Sequence, residues 1–102
     1  MTRPKYQVRL LRAAEDDLTD IISYIASDSP ASADSVLERI EQKLSLLHEQ
    51  PLLGKRPKDE DLAGMGYRFL IVLNYLVFYT IENHTVLVHR ILHGARDYRG
   101  LL

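Results

Sequence analysis

Apolar residues recur along the first half of the chain with two different periods, and these periods divide it into elements. Every second residue is apolar over Tyr6–Leu10, which predicts a half-buried strand. Apolar residues at helical spacing then predict two helices, Ala13–Ser27 and Pro30–Gln50. Ser29 before Pro30 is typical of a helix N-cap followed by proline at the first helical position. Because so few residues separate the two helices, they are expected to form an antiparallel hairpin.

The second half of the chain has the pattern of a long loop followed by strands. Residues 51–66 contain two prolines and three glycines, which predicts a turn-rich loop. Three apolar segments follow, Tyr67–Leu73, Tyr75–Ile81 and Thr85–Leu92, and the short turns between them predict an antiparallel meander. The predicted order is β-α-α-β-β-β. The fold class is therefore α+β, with a helical hairpin packed on a mainly antiparallel four-stranded sheet, in a single domain over residues 1–102.

Both faces of the predicted sheet carry apolar side chains, although one helical hairpin can cover only one face. In the third strand Val77 and Tyr79 point to one side, while Leu76 and Phe78 point to the other. Two interpretations account for the remaining apolar surface. A partner's chain lies across it, which is the interpretation the pattern favours, or loop 51–66 and the C-terminal tail fold back over it.

Composition excludes several classes of protein. The chain has 46% hydrophobic and 26% charged residues, which is typical of a folded domain and not of a disordered chain. It has no cysteine, so disulfides, a thiolate nucleophile and cysteine metal ligands are excluded. The longest uncharged hydrophobic stretch, Phe69–Ile81, is too short to span a bilayer. No secretion signal is visible either, and a cytoplasmic location without membrane contact is expected.

The net charge of −1 conceals an uneven distribution of charge along the chain. Residues 1–12 and 62–102 together carry eight basic and two acidic residues, whereas residues 13–61 carry five basic and twelve acidic ones. If the two ends fold together, one face of a nearly neutral protein is basic. Such a face suits a polyanion or an acidic protein partner, although an ordinary mixed surface has equal support from charge alone.

Four polar residues in the last strands and the tail are the best candidates for chemistry. Arg68 and Arg90 lie on strands that a meander places two apart, so they are expected to flank one pocket and to bind phosphate or an acidic partner. His93 is the best candidate for proton transfer, and Tyr98 adds a hydroxyl group. Ion pairs for the arginines and a turn hydrogen bond for His93 explain the same residues without catalysis. No metal site and no cofactor are expected.

The order of elements and several segments resemble the ParE/RelE superfamily, the toxins of type II toxin–antitoxin systems. Gly66-Tyr-Arg-Phe-Leu70 and Asn74-Tyr-Leu-Val-Phe-Tyr79 contribute to the resemblance, and Val88-His-Arg-Ile-Leu-His-Gly-Ala-Arg-Asp97 is its strongest part. The long hairpin and this last segment are more similar to the ParE branch. One departure is Leu11, where the family usually begins its first helix with Ser or Thr.

The resemblance implies an activity and a partner. A ParE-like protein poisons DNA gyrase by binding it, whereas a RelE-like protein cleaves messenger RNA on the ribosome without a metal. Either protein forms a hetero-oligomer with a cognate antitoxin, and neither needs a cofactor. The implied antitoxin-binding or target-binding residues are Arg68, Arg90, Arg96, Leu76 and Phe78. The implied catalytic residues of a RelE-like nuclease are His93, Arg90, Arg68 and Tyr98.

Overall fold

A computed structural model describes residues 5–95 and 97–102, and these residues form three helices and four strands. The predicted order β-α-α-β-β-β is confirmed, with one short helix added inside the segment predicted as a loop. The elements in chain order are β1 (Gln7–Leu10), α1 (Arg12–Asp28), α2 (Pro30–Leu46), α3 (Glu60–Gly64), β2 (Arg68–Val72), β3 (Tyr75–Glu82) and β4 (Thr85–His93).

The four strands form one open sheet in the order β1-β4-β3-β2. The last three strands are antiparallel neighbours, as predicted, and β1 joins the sheet in parallel beside β4, with Val8 opposite Val86. Helices α1 and α2 cover one side of this sheet, which we call the helix face. Its core consists of the buried residues Ala14, Ile40, Leu44, Leu47, Leu70, Val72, Val77, Tyr79, Val86, Val88 and Ile91.

Local signals at the ends of the helices explain most of the hairpin. The Ser29 hydroxyl accepts a hydrogen bond from the Ser32 N–H at 3.2 Å, which confirms the predicted N-cap of α2. Leu11 precedes α1 without any side-chain cap. Helix α2 ends at Leu46, four residues earlier than predicted, because the chain turns there and the His48 carbonyl accepts a hydrogen bond from the Tyr6 N–H. In the described part of the chain, no helix is long and apolar enough to cross a membrane.

A β-bulge in β4 changes the direction in which its later side chains point. Phe78 lies opposite Arg90 and Tyr79 lies opposite Val88, so His89 is the extra residue on β4. Strict alternation from Val88 would place Ile91 on the face opposite to the helices. The bulge instead returns Ile91 to the core of the helix face.

The other side of the sheet is closed by the protein's own chain, and we call it the tail face. Its buried residues are Leu62 from α3 and Tyr67, Phe78 and Leu92 from the sheet. The C-terminal residues Tyr98, Leu101 and Leu102 pack over them. The prediction that a partner's chain covers this surface is therefore wrong for the structure of the chain alone, and the alternative of a folded-back loop and tail is confirmed.

Candidate functional site

Arg90 joins helix α1, strand β4 and the C-terminal tail. Its guanidinium donates two hydrogen bonds to the Asp17 carboxylate, Nε to Oδ2 at 2.7 Å and Nη2 to Oδ1 at 2.8 Å. Asp17 Oδ2 also accepts the backbone N–H of Ile91 at 3.0 Å. The third guanidinium nitrogen donates to the Leu101 carbonyl at 3.1 Å. The hydrogen bonds that Arg90 donates to Asp17 raise the pKa of Arg90, so the guanidinium stays charged and fixes the tail to the sheet.

The tail held by Arg90 covers two residues that were predicted to bind a partner. Phe78 is fully buried, and the ring of Tyr98 lies over it with the ring centroids 4.7 Å apart. Leu76 is half-buried against the same tail. Direct contact between a partner and Phe78 would therefore require the tail to move away.

Arg68 lies on the helix face and fixes the loop that follows α2. Its guanidinium donates to the Gly54 carbonyl at 3.0 Å. Its cross-strand neighbour Tyr79 donates its hydroxyl hydrogen to the Pro51 carbonyl and accepts the Gly54 N–H, both at 2.8 Å. Burial raises the pKa of Tyr79, whereas the hydrogen bond from Gly54 and the nearby Arg68 charge lower it less strongly. The loop approaches so closely that a Cβ at Gly54 would lie 2.6 Å from the Tyr79 hydroxyl oxygen.

The structure does not bring the four catalytic candidates together. Cross-strand partners share a face, so Arg68, opposite Tyr79, lies on the helix face, and Arg90, opposite Phe78, lies on the tail face. The expectation that these two arginines flank one pocket is therefore wrong, because their side chains lie on opposite faces of the sheet.

The other two candidates are separated in the same way. His93 is exposed at the end of β4 and lies opposite Tyr75. Tyr75 is four residues along β3 from Tyr79, the cross-strand partner of Arg68, and this separation is roughly 13 Å at the usual strand rise. Its Nδ1 accepts the Ala95 N–H at 3.2 Å. Tyr98 packs on the tail face instead. Arg96, which was predicted to bind a partner, lies outside the described residues.

Sequence reasoning gave no role to His89, although it has the most developed polar contacts of the four histidines. As the bulged residue it lies on the tail-face side, with Nε2 2.8 Å from the Thr80 hydroxyl and Nδ1 3.3 Å from the Tyr67 hydroxyl. Burial lowers the pKa of His89, and the Glu82 charge opposes this shift. Strict alternation from Val88 already places His89 on this face, but its partners come from β3 and from the residue before β2, and only the register of the strands brings them close.

Among the described residues, partly apolar surfaces remain open away from the tail face. A groove of about 480 Å³ lies between β1 and the helical hairpin, and its residues are Val8, Leu10, Leu18, Leu37, Glu41, Leu44, Ser45 and His48. A second apolar surface follows the outer edge of β2, where Ile71 is 51% exposed. Among the described residues, no three histidine, aspartate or glutamate side chains group together as metal ligands do.

Comparison with known proteins relates this arrangement to one family. A family model described as the ParE toxin of type II toxin-antitoxin system, parDE, matches residues 8–98. The chain is similar to a structure of the chromosomal ParDE toxin–antitoxin system from P. aeruginosa, with a TM-score of 0.71 and 18% identity over 86% of this chain and 95% of that one. It is also similar to a chain of the toxin–antitoxin complex RelBE2 from Mycobacterium tuberculosis, with a TM-score of 0.59 and 27% identity over 87% and 98% of the two chains. No curated protein matches the sequence.

Proposed function

The chain belongs to the ParE toxin family of type II toxin–antitoxin systems, and we propose that it stops growth by binding and poisoning DNA gyrase. A cognate antitoxin, made with it, holds it inactive in a hetero-oligomer. The proposal rests on family membership for the class of target and on the geometry of the candidate residues for the mode of action. The toxin acts by binding, without a hydrolytic site of its own.

The dispersal of the four catalytic candidates is the observation that carries this proposal. Metal-free RNA cleavage needs a base, an acid and a cation around one phosphate. Here Arg68 and Arg90 lie on opposite faces, and each is already bonded to its own chain. His93 and Tyr98 are also on different sides of the sheet. The arrangement therefore favours a binding poison over a nuclease.

The open groove beside β1 supports a protein antitoxin as the partner. The groove is lined mainly by apolar side chains, and it is large enough for several side chains of an amphipathic segment. The binding roles of Arg68, Arg90, Arg96, Leu76 and Phe78 remain proposals. Among them Phe78 is buried beneath the tail, so it contributes only if the antitoxin displaces Tyr98.

Induction of the toxin without its antitoxin tests the target. We expect DNA breaks and damage signalling while messenger RNA stays intact, and we expect the purified chain to trap gyrase on DNA in a cleavage assay. Co-expression of the antitoxin is the matched control and should abolish both effects. Normal growth with no trapped gyrase would contradict the proposed activity.

A RelE-like nuclease is the second candidate, and the similarity to the RelBE2 complex favours it. If the toxin is a nuclease, induction should cut messages at codon boundaries. His93→Ala or Tyr98→Phe should then lower cleavage by orders of magnitude and leave antitoxin binding nearly unchanged. Rapid loss of message that both variants abolish would replace the gyrase proposal.

A further inference from the structure

Strand β2 is an edge strand whose outer side is only partly occupied. Phe69 exchanges two backbone hydrogen bonds with Lys55, N–H to carbonyl at 2.9 Å in each direction. Backbone groups alternate between the two sides of a strand, so the N–H and carbonyl of Ile71 point to the same outer side as those of Phe69. In the described part of the chain, no residue forms a β-bridge with Ile71 on that side. An unpaired edge of this kind is a template for another strand.

The side chains around this edge are apolar with a cationic border. Ile71, Leu73 and Leu53 are 51%, 44% and 40% exposed. A depression of about 200 Å³ lies beside them, formed by Lys43, Leu53, Lys55, Phe69, Leu70 and Ile71. Lys43 and Lys55 are both exposed. We call Lys43, Leu53, Lys55, Ile71 and Leu73 the β2 edge patch.

Leu73 has a backbone conformation that does not suit it. Its φ is +55°, in the left-handed region that favours glycine or asparagine, and it is the first residue of the two-residue turn between β2 and β3. The turn itself would therefore be more stable with glycine at this position. An exposed leucine in a strained turn conformation indicates that the Leu73 side chain has a role other than forming the turn.

From these observations we infer that the β2 edge patch binds an extended, acidic segment of the antitoxin, which adds to the sheet as a fifth strand beside β2. The inference rests on the proposed function, because that function supplies the partner. Backbone hydrogen bonds to Ile71 would set the register of the antitoxin strand. Leu53 and Leu73 would contact apolar side chains of the antitoxin, and Lys43 and Lys55 would pair with its carboxylates. A second copy of this chain does not suit the edge, because self-pairing would bring the same lysines together.

Ile71→Pro tests the backbone part of this inference. The substitution removes the outward N–H and leaves the β2–β3 ladder, in which that N–H takes no part, while proline is tolerated on edge strands. We expect roughly tenfold weaker binding of the co-encoded antitoxin, measured by calorimetry, from the loss of one intermolecular hydrogen bond and the added steric block. If the wild-type chain binds and Ile71→Pro binds equally well, the strand addition is wrong. If the wild-type chain does not bind at all, the proposed function fails first.

Two further measurements keep the test independent of any effect of proline on folding. In the wild-type complex the Ile71 amide should exchange with solvent at least tenfold more slowly than in the free toxin, and unchanged exchange contradicts the inference. Lys43→Glu with Lys55→Glu should weaken binding and reduce its salt dependence, since rim charges act mainly on association. Arg9→Glu with Arg12→Glu, at two exposed arginines in or beside the strand at the opposite sheet edge, is the charge-matched control and should bind normally.

Leu73→Gly separates a role in binding from a role in folding. It should raise the melting temperature, because glycine accepts the positive φ, and weaken antitoxin binding at least severalfold. A stabilised variant with unchanged affinity would remove Leu73 from the patch. A toxin dimer in sedimentation that Ile71→Pro abolishes would show that a second copy occupies the edge and would overturn the choice of partner.

Discussion

The helix face and the tail face of the sheet are both buried, but they are held by very different structures. Two 17-residue helices pack on the helix face, and its core includes residues from all four strands. The tail face is covered by a five-residue helix and a few terminal residues, of which Tyr98, Leu101 and Leu102 are only partly buried. We therefore expect the helix face to open only with global unfolding and the tail face to open locally.

The attachment of the two covers differs as well. The hairpin is held mainly by extensive apolar packing, whereas the tail has a few apolar contacts and one hydrogen bond from Arg90, which Asp17 of α1 holds in place. Those two side chains are only 20% and 14% exposed, so their pairing is shielded from solvent. A polar attachment of this kind can be removed by a single substitution, which makes the comparison between the two faces testable.

Ile40→Ala on the helix face should have the largest effect. Ile40 is fully buried in the core, and truncation leaves a cavity that α2 cannot close, so we expect a loss of about 3 kcal/mol of unfolding free energy. Urea denaturation measures the loss, and all probes should report one transition. Leu46→Ala, on the exposed side of the same helix, is the control and should cost far less. A loss below about 1 kcal/mol for Ile40→Ala would mean that the helix face is not the main core.

Asp17→Asn should have the second largest effect, although it changes no apolar contact. It leaves the Arg90 charge without its counter-ion and weakens the acceptor for the Ile91 N–H, for an expected loss of about 2 kcal/mol. Hydrogen exchange should show faster opening of the tail than of the hairpin. The exposed neighbour Asp16 provides the control, Asp16→Asn. Equal acceleration in both regions would contradict a local attachment.

Leu101→Asn combined with Leu102→Asn tests the tail cover itself and keeps the backbone carbonyl that Arg90 binds. Both side chains are partly buried, so we expect a loss of about 1 kcal/mol and a clear rise in the fluorescence of a hydrophobic dye. The dye should report the newly accessible Phe78 and Leu92. Leu52→Asn, at a position already 64% exposed, should leave the dye signal unchanged. No rise in the double variant would mean that other residues cover this face.

Local patterns in the sequence predicted most of the helix face. The apolar stripe of each helix, the Ser29 cap and the short strand connections act over a few residues, and each is confirmed. The tail face could not be predicted in the same way. Arg90 and Asp17 are 73 residues apart, and nothing in the neighbourhood of either residue indicates the other.

The same limit applies to the candidate site. Arg68 and Arg90 have the residue type expected at a phosphate or protein site, but the face on which each lies depends on strand register. The extra residue at His89 shifts that register, and a bulge has no reliable pattern in a single sequence. The open edge of β2 was also missed, because strand order in the sheet, and not the sequence of β2, makes Ile71 an edge residue.

The smallest expected effect is the contribution of His89, on the tail face, to the pH dependence of the free energy of unfolding. Burial lowers the pKa of His89 in the folded state below its unfolded value of about 6.5, so the unfolded chain binds the proton more readily. Stability should therefore fall as pH decreases through about 6.5 and should stop falling below the folded pKa. Because His89 is only part-buried, the loss should be on the order of a few tenths of a kcal/mol.

His89→Gln isolates this contribution from the other histidines. It should remove the His89 share of the pH dependence between about pH 7 and 5, measured by urea denaturation at each pH. His93→Gln, at an exposed position on the end of β4, is the matched control and should leave that share unchanged. Protonation places a partly desolvated charge on the tail-face side of the sheet, so tail exchange should rise before hairpin exchange does. If exchange in the hairpin rose first at low pH, protonation of His89 would not destabilise the tail face. The lower stability of the tail would then have to be explained by the Arg90 contacts alone.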